Sequence, residues 1–174
     1  MGQAKPDSRD FEIAVAEHFG IRQNVIVPNI SWGLRGLNHE CDLLLLRDSG
    51  FAEEIEIKVS ASDIRRDLTK GGGRGHARSP LIRKLWFAVP LALAESDSIP
   101  EYAGVLALVW DTRKRGYVCV AVRAPAVNSA ARKLSDAEKL QVLRLSNLRV
   151  WSLKQKLRKL ERKELKNVET ENNR

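Results

Sequence analysis

The chain has 174 residues, 43% hydrophobic and 30% charged, with a formal net charge of +8. That length and balance fit one globular domain with a buried core and exclude a disordered chain. No apolar run approaches the ~20 residues that cross a bilayer, and the N-terminus lacks the apolar stretch of a secretory signal.

The positive excess points to a polyanionic partner, with nucleic acid first and an acidic membrane surface second. Cys41 and Cys119 each lie inside an apolar run. They read as buried free thiols of a cytoplasmic protein. His39 beside Cys41 has no second ligand pair at short spacing, so zinc is rejected.

In chain order, Asp7 or Ser8 caps a helix over residues 9–19 with Phe11, Val15 and Phe19 as its apolar stripe, and Gly20 ends it. The stretch NVIVPNI reads as a strand broken at Pro28, and SWGLRGLN as a loop over 31–38. CDLLLL is an apolar run suited to a strand buried on both faces. The turn RDSG joins it in a hairpin to the alternating strand FAEEIEIKV. Ser60 or Ser62 caps a second helix, followed by the glycine-rich loop KGGGRGHARSP and the strand KLWFAVP. A short helix over 91–94 leads to the strands AGVLALVWD and YVCVAVRA. From Leu134 the pattern is helical, with Leu140, Leu143, Leu148 and Trp151 on one side and a polar tail at the end. Strands mixed with helices around one sheet place the chain in the α/β or α+β class. We expect one domain with a core over 1–133 and a helical extension over 134–174 packed on it.

The charges of the second hairpin strand need an explanation. Side chains on a strand alternate faces, so Glu54, Glu56 and Lys58 project from one side and Ile55, Ile57 and Val59 from the other. A solvated face would account for that pattern, but Asp42 adds a carboxylate to an otherwise apolar neighbouring strand. A buried carboxylate is costly unless it is paired or holds a metal. Two carboxylates on one point form a hard oxygen site for Mg²⁺ or Mn²⁺, and an adjacent lysine can orient a water.

CDLLLL followed by EIEIKVS resembles the D…(E/D)-x-K signature of the PD-(D/E)XK nuclease superfamily, and the order α-β-β-α-β is similar to its restriction-endonuclease-like core. EIKVSASDIRRD, LWFAVP and IPEYAGVLALV further resemble the MmcB-like branch, described as DNA-repair endonucleases. The resemblance spans residues 9–123. It implies a central mixed sheet flanked by helices and a metal-dependent nuclease acting on DNA in repair or in processing foreign or mobile DNA. It makes Asp42 and Glu56 ligands of Mg²⁺ or Mn²⁺, the backbone carbonyl of Ile57 a third contact and Lys58 the catalytic lysine. It also implies a carboxylate from the first helix, Glu12 or Glu17. The proline of the signature is replaced by Cys41. The alternative is a non-catalytic nucleic-acid-binding module on the same fold.

Between Asp63 and Lys84 stand Arg65, Arg66, Lys70, Arg74, Arg78, Arg83 and Lys84 against Asp63 and Asp67, a surplus of five (7 − 2). Arg65, Arg66, Lys70, Arg74, His76, Arg78 and Ser60 are the candidate contacts to a DNA backbone. The segment lacks the Gly-Lys-Ser/Thr ending of a phosphate loop. Trp32 and Arg35 are placed to stack on nucleic acid, whereas Trp86, Trp110 and Trp151 read as core. The basic stretch KQKLRKLERKELK, with leucines at heptad-like spacing, reads as a solvated amphipathic helix. Its alternatives are a DNA contact or a homodimer contact.

Overall fold

The computed structural model describes residues 6–30, 33–37, 39–70 and 79–172, without the side chains of 67–70 and 165–172. The first helix, α1 (Ser8–Phe19), begins where the sequence places a reciprocal cap. The Asp7 carboxylate accepts from the Arg9 and Asp10 amides, and Asp10 accepts from the Asp7 amide. Gly20 ends it at φ +78, a conformation open to glycine. Phe11, Ala14, Val15 and Phe19 form its buried face.

Six strands follow: β1 (Val25–Ile30), β2 (Cys41–Leu46), β3 (Ala52–Ile57), β4 (Ile82–Pro90), β5 (Gly104–Asp111) and β6 (Gly116–Arg123). They form one mixed sheet in sequence order, antiparallel except for the parallel pairs β3–β4 and β4–β5. Helix α2 (Ala61–Lys70) makes the crossover from β3 to β4, and α3 (Asp136–Asn172) closes the described chain. A 3-10 turn, Leu91–Leu93, stands where the short helix was expected.

Side-chain parity divides the core. Leu43, Leu45, Ile55, Trp86, Ala88, Leu106 and Leu108 face α1 on one side of the sheet. On the other side Leu44, Leu46, Ala52 and Ile82 pack with Leu134, Val142 and Leu145, while Phe87, Val89, Val105 and Ala107 pack with Ile64 of α2. β2 is therefore apolar on both faces because both are covered.

Three sequence expectations need correction. Pro28 does not break β1: the strand runs through it in register with Leu43. β1 is an edge strand, where the missing N–H of proline is tolerated. The apolar side assigned to the last helix is not its packed side. Leu140, Leu143, Leu148 and Trp151 are each about half exposed, and Val142 and Leu145 are buried instead. Arg149 donates to the carbonyls of Pro28 and Asn29, so the first part of α3 rests on β1. Every residue from Leu148 to Glu164 but Arg149 is exposed or has no buried partner, so the extension packs on the core only at its root. Trp110 and Trp151 are surface residues at 39% and 55% exposure, and Trp86 at 8% is core.

Trp86 also explains Gly104. A Cβ on Gly104 would lie 2.5 Å from Cε3 of Trp86 and 2.8 Å from Cδ of Pro125. Both neighbours are stiff rings, so Gly104→Ala should destabilise the domain by about 1–3 kcal/mol through overpacking. Urea unfolding followed by tryptophan fluorescence measures this, and an unchanged midpoint would refute the close approach.

Candidate active site

The β2–β3 register sets the site. Leu43 pairs with Ile55 and Leu44 with Glu54, so the index sum is 98, and Asp42 with Glu56 continues it (42 + 56). The Asp42 carboxylate crosses between the strands and accepts the Ile57 N–H at 2.8 Å. Lys58, one residue past β3, donates to Glu56 Oε2 at 2.5 Å and lies 3.9 Å from Asp42 Oδ2. Asp42, Glu56 and Lys58 thus meet around one ammonium at the end of the sheet where the parallel strands terminate. Crevices at such carboxyl ends are the usual ligand positions of open α/β sheets.

The trio is graded in burial. The side chain of Asp42 is 35% exposed, that of Lys58 11% and that of Glu56 4%. Glu56 Oε1 is buried with no hydrogen-bond partner among the described residues. Burial, with Glu54 and Asp42 nearby, outweighs the attraction of Lys58 and pushes the Glu56 carboxyl up to about 8. In an extended strand a residue's N–H and C=O face the same neighbour. By that rule the Ile57 carbonyl points toward β2, the strand that carries Asp42.

Of the two α1 carboxylates, Glu12 belongs with this group and Glu17 does not. Glu12 is partly buried, hydrogen-bonds with the Asn29 side chain and feels the Asp42 charge; burial is the main cause that raises its carboxyl above the ordinary range. Glu17 is exposed, five residues further on, which places it well over 100° around the helix from Glu12. Ser60 serves as the cap of α2: its hydroxyl accepts the Asp63 N–H and donates to the Asp63 carboxylate. Arg65 and Arg66 are exposed on α2, with Arg66 3.7 Å from Asp63. Arg35 is exposed in the loop before β2. Arg74, His76, Arg78 and Trp32 lie outside the described residues, as does the side chain of Lys70.

Sequence reading missed one pair. Glu54 is fully buried on the same strand face as Glu56, and His39 Nε2 lies 2.6 Å from its Oε1. The parity of Glu54 was a usable signal; nothing in the sequence placed His39 opposite it. Glu53 points to the other face, where it binds Arg47 and the Trp86 indole N–H. Cys41 and Cys119 are free and buried, and Cys41 Sγ donates to the Leu43 carbonyl. No described helix is long and apolar enough to cross a membrane.

The donor set was tested for a divalent cation. Two carboxylates and a carbonyl on the same side are hard oxygens, and a buried carboxylate oxygen without a partner is the kind of atom a cation would satisfy. Among the described residues no three His, Cys, Asp or Glu side chains form a complete cage. Mg²⁺ needs none, since it is usually bound by one or two carboxylates and retains waters. The residues fit. The raised Glu56 pKa has a stability consequence. A carboxyl raised from its ordinary 4.5 to about 8 favours the fold while protonated. That contribution is complete below pH 4.5 and lost as pH rises through 8. Glu56→Gln should therefore lack the decline that the wild type shows over this window. Parallel pH–stability curves for the two proteins would sink the assignment.

No family model and no curated protein sequence matches the chain. Among solved structures it is similar to the SPO1766 protein of unknown function from Silicibacter pomeroyi, at 20% identity and a TM-score of 0.58. The match covers 92% of this chain and 96% of that one. The likeness shows a shared fold that includes nearly the whole length of both chains.

Proposed function

We propose that the chain is a metal-dependent nuclease that hydrolyses DNA phosphodiester bonds on a PD-(D/E)XK-type core. The observation that carries this reading is the meeting of Asp42, Glu56 and Lys58 across the β2–β3 register. The same three residues were singled out from sequence by spacing and parity. The order α1, β1, the β2–β3 hairpin, α2 and β4 contains the α-β-β-α-β order on which the resemblance rests, with β1 added at the sheet edge.

Asp42 and Glu56 would hold Mg²⁺ or Mn²⁺, with the Ile57 carbonyl beside them and Glu12 near the Asp42 end. The cation supplies Lewis-acid neutralisation of charge at the phosphate. Asp42, the most exposed of the three, faces the substrate side, while Glu56 is fixed from within by burial and by Lys58. The Ile57 N–H holds the Asp42 carboxylate in orientation, so that a strand amide keeps the ligand in place without a flexible partner. Lys58 donates hydrogen bonds, orients the attacking water and offsets charge that builds on the phosphate in the transition state. Hydrolysis then forms one P–O bond to the water oxygen, whose proton passes to solvent. It breaks the P–O bond to the departing strand, whose oxygen takes up a proton from a second water. The exposed Arg65 and Arg66 on the helix that follows Lys58 would bind the sugar–phosphate backbone.

The second reading, a nucleic-acid-binding module without catalysis, rests on the lack of a complete ligand cage among the described residues. The two separate experimentally. Purified protein should nick plasmid or cut single-stranded DNA with Mg²⁺ or Mn²⁺ and stop with a chelator. Lys58→Ala and Asp42→Asn should each lower the rate by about 10²-fold or more, with DNA affinity retained. Binding without cleavage of duplex, single-stranded or branched DNA would establish the binding module. Arg65→Ala with Arg66→Ala should leave Mg²⁺ binding intact, weaken DNA binding and lower the slope of log K against log salt by about 2. An unchanged slope would remove α2 from the interface.

A further inference from the structure

Beyond its root, α3 presents two different faces to solvent. Leu143, Val150, Leu153, Leu157 and Leu160 are 49%, 49%, 57%, 58% and 56% exposed. At 100° per residue they fall within an arc of about 100° and occupy successive a and d positions of a heptad, with Ser146 at the remaining d. Arg144, Arg158, Lys159, Arg162 and Lys163 are exposed on the opposite arc, which near the root also carries the exposed Leu148 and Trp151. An apolar seam about 26 Å long, on a helix held at its base by Val142, Leu145 and Arg149, therefore has no intramolecular cover among the described residues.

We propose that a second copy of this chain covers the seam, the two α3 helices pairing in parallel as a two-stranded coiled coil about a two-fold axis. Each apolar layer then meets itself across the axis. Val150 at a with leucines at the d positions 153 and 160 favours two parallel strands, while Leu143 and Leu157 at the other a positions set no strand number. The flanking charges agree. Lys156 at g faces Glu161 at e of the partner, a carboxylate that also pairs with Arg158 of its own helix at 3.0 Å, and symmetry gives the contact twice. The one adverse contact, Arg149 with the partner's Lys154, is weakened because the Arg149 guanidinium is already bound to the carbonyls of Pro28 and Asn29. An anionic membrane fits less well: the basic arc is opposite the apolar one, so a helix lying on lipid by its leucines would turn most of its cations away. The pairing leaves both basic arcs outward and ties the β1 edge of each sheet, through Arg149, to the dimer stem. It does not depend on the nuclease reading.

Sedimentation equilibrium of the full chain tests it. The wild type should pass from about 39 kDa (2 × 19.6 kDa) to 19.6 kDa on dilution, with a dissociation constant in the micromolar range, about 1–10 µM for a seam this short. Leu153→Glu with Leu157→Glu should weaken the dimer at least 100-fold, and because both positions are exposed the thermal melt of the sheet domain should not move. Val150→Cys should yield a disulfide-linked dimer under mild oxidation, as a parallel pair places the two residues face to face. A wild type that stays monomeric at 100-fold above that range, or a double variant that keeps the dimer mass, overturns the proposal. A dimer whose Val150→Cys form does not cross-link overturns the parallel orientation. Monomers that bind vesicles of phosphatidylglycerol through the same leucines would assign the seam to a membrane instead.

Discussion

The structure depends on how β3 accommodates charge on a strand with both faces covered. Glu53, Glu54, Glu56 and Lys58 are all at or below 9% exposure, yet their strand lies near the centre of the sheet. Burying charge is tolerated only where partners are close. Each side answers differently. Toward α1, Glu53 is neutralised by Arg47 and Lys84 and accepts the Trp86 N–H. On the other face, Glu54 has His39, and Glu56 has Lys58. The first arrangement is closed and structural. The second is open at Asp42, and that asymmetry is what singles it out as the candidate site among the buried ion pairs.

The parallel step from β3 to β4 gives this opening its position. A parallel connection needs a crossover, and α2 supplies it directly after Lys58. The helix therefore starts at the carboxyl end of the strand that carries the charges and places Arg65 and Arg66 within its first two turns. Ile64 anchors the helix in the core, so the basic pair points outward by helical geometry. The topology that buries the strand also leads the chain past the site.

Much of this was legible because it follows from parity and spacing. Asp42, Glu56 and Lys58 could be grouped from a hairpin with a short turn and a period of two. The caps at Asp7, Gly20 and Ser60 carry local signals that tertiary packing does not override. What was not legible depends on layers. Whether α3 buries Leu140 or Val142 is decided by which side meets β1, and a helix with leucines around much of its circumference does not encode that choice. Glu12 was preferable to Glu17 only once α1 was laid across the sheet, and His39 reached Glu54 through a loop whose path no periodicity fixes. Trp110 and Trp151 misled because tryptophan in an apolar segment is as compatible with a surface strand or helix as with a core.

Pro28 and Asn29 have an effect beyond the strand that contains them. An edge strand offers its unpaired amides to any passing chain, and a nascent sheet with such an edge is a seed for aggregation. Here proline removes one donor, and Asn29 at φ +55 turns the backbone out of the extended form. The two neighbouring carbonyls, the acceptors an invading strand would use, are taken by Arg149 from the far end of the sequence. Helix α3, which follows all six strands in the chain, thus closes the first edge of the sheet, and until it docks, that edge is guarded by a ring and a kink.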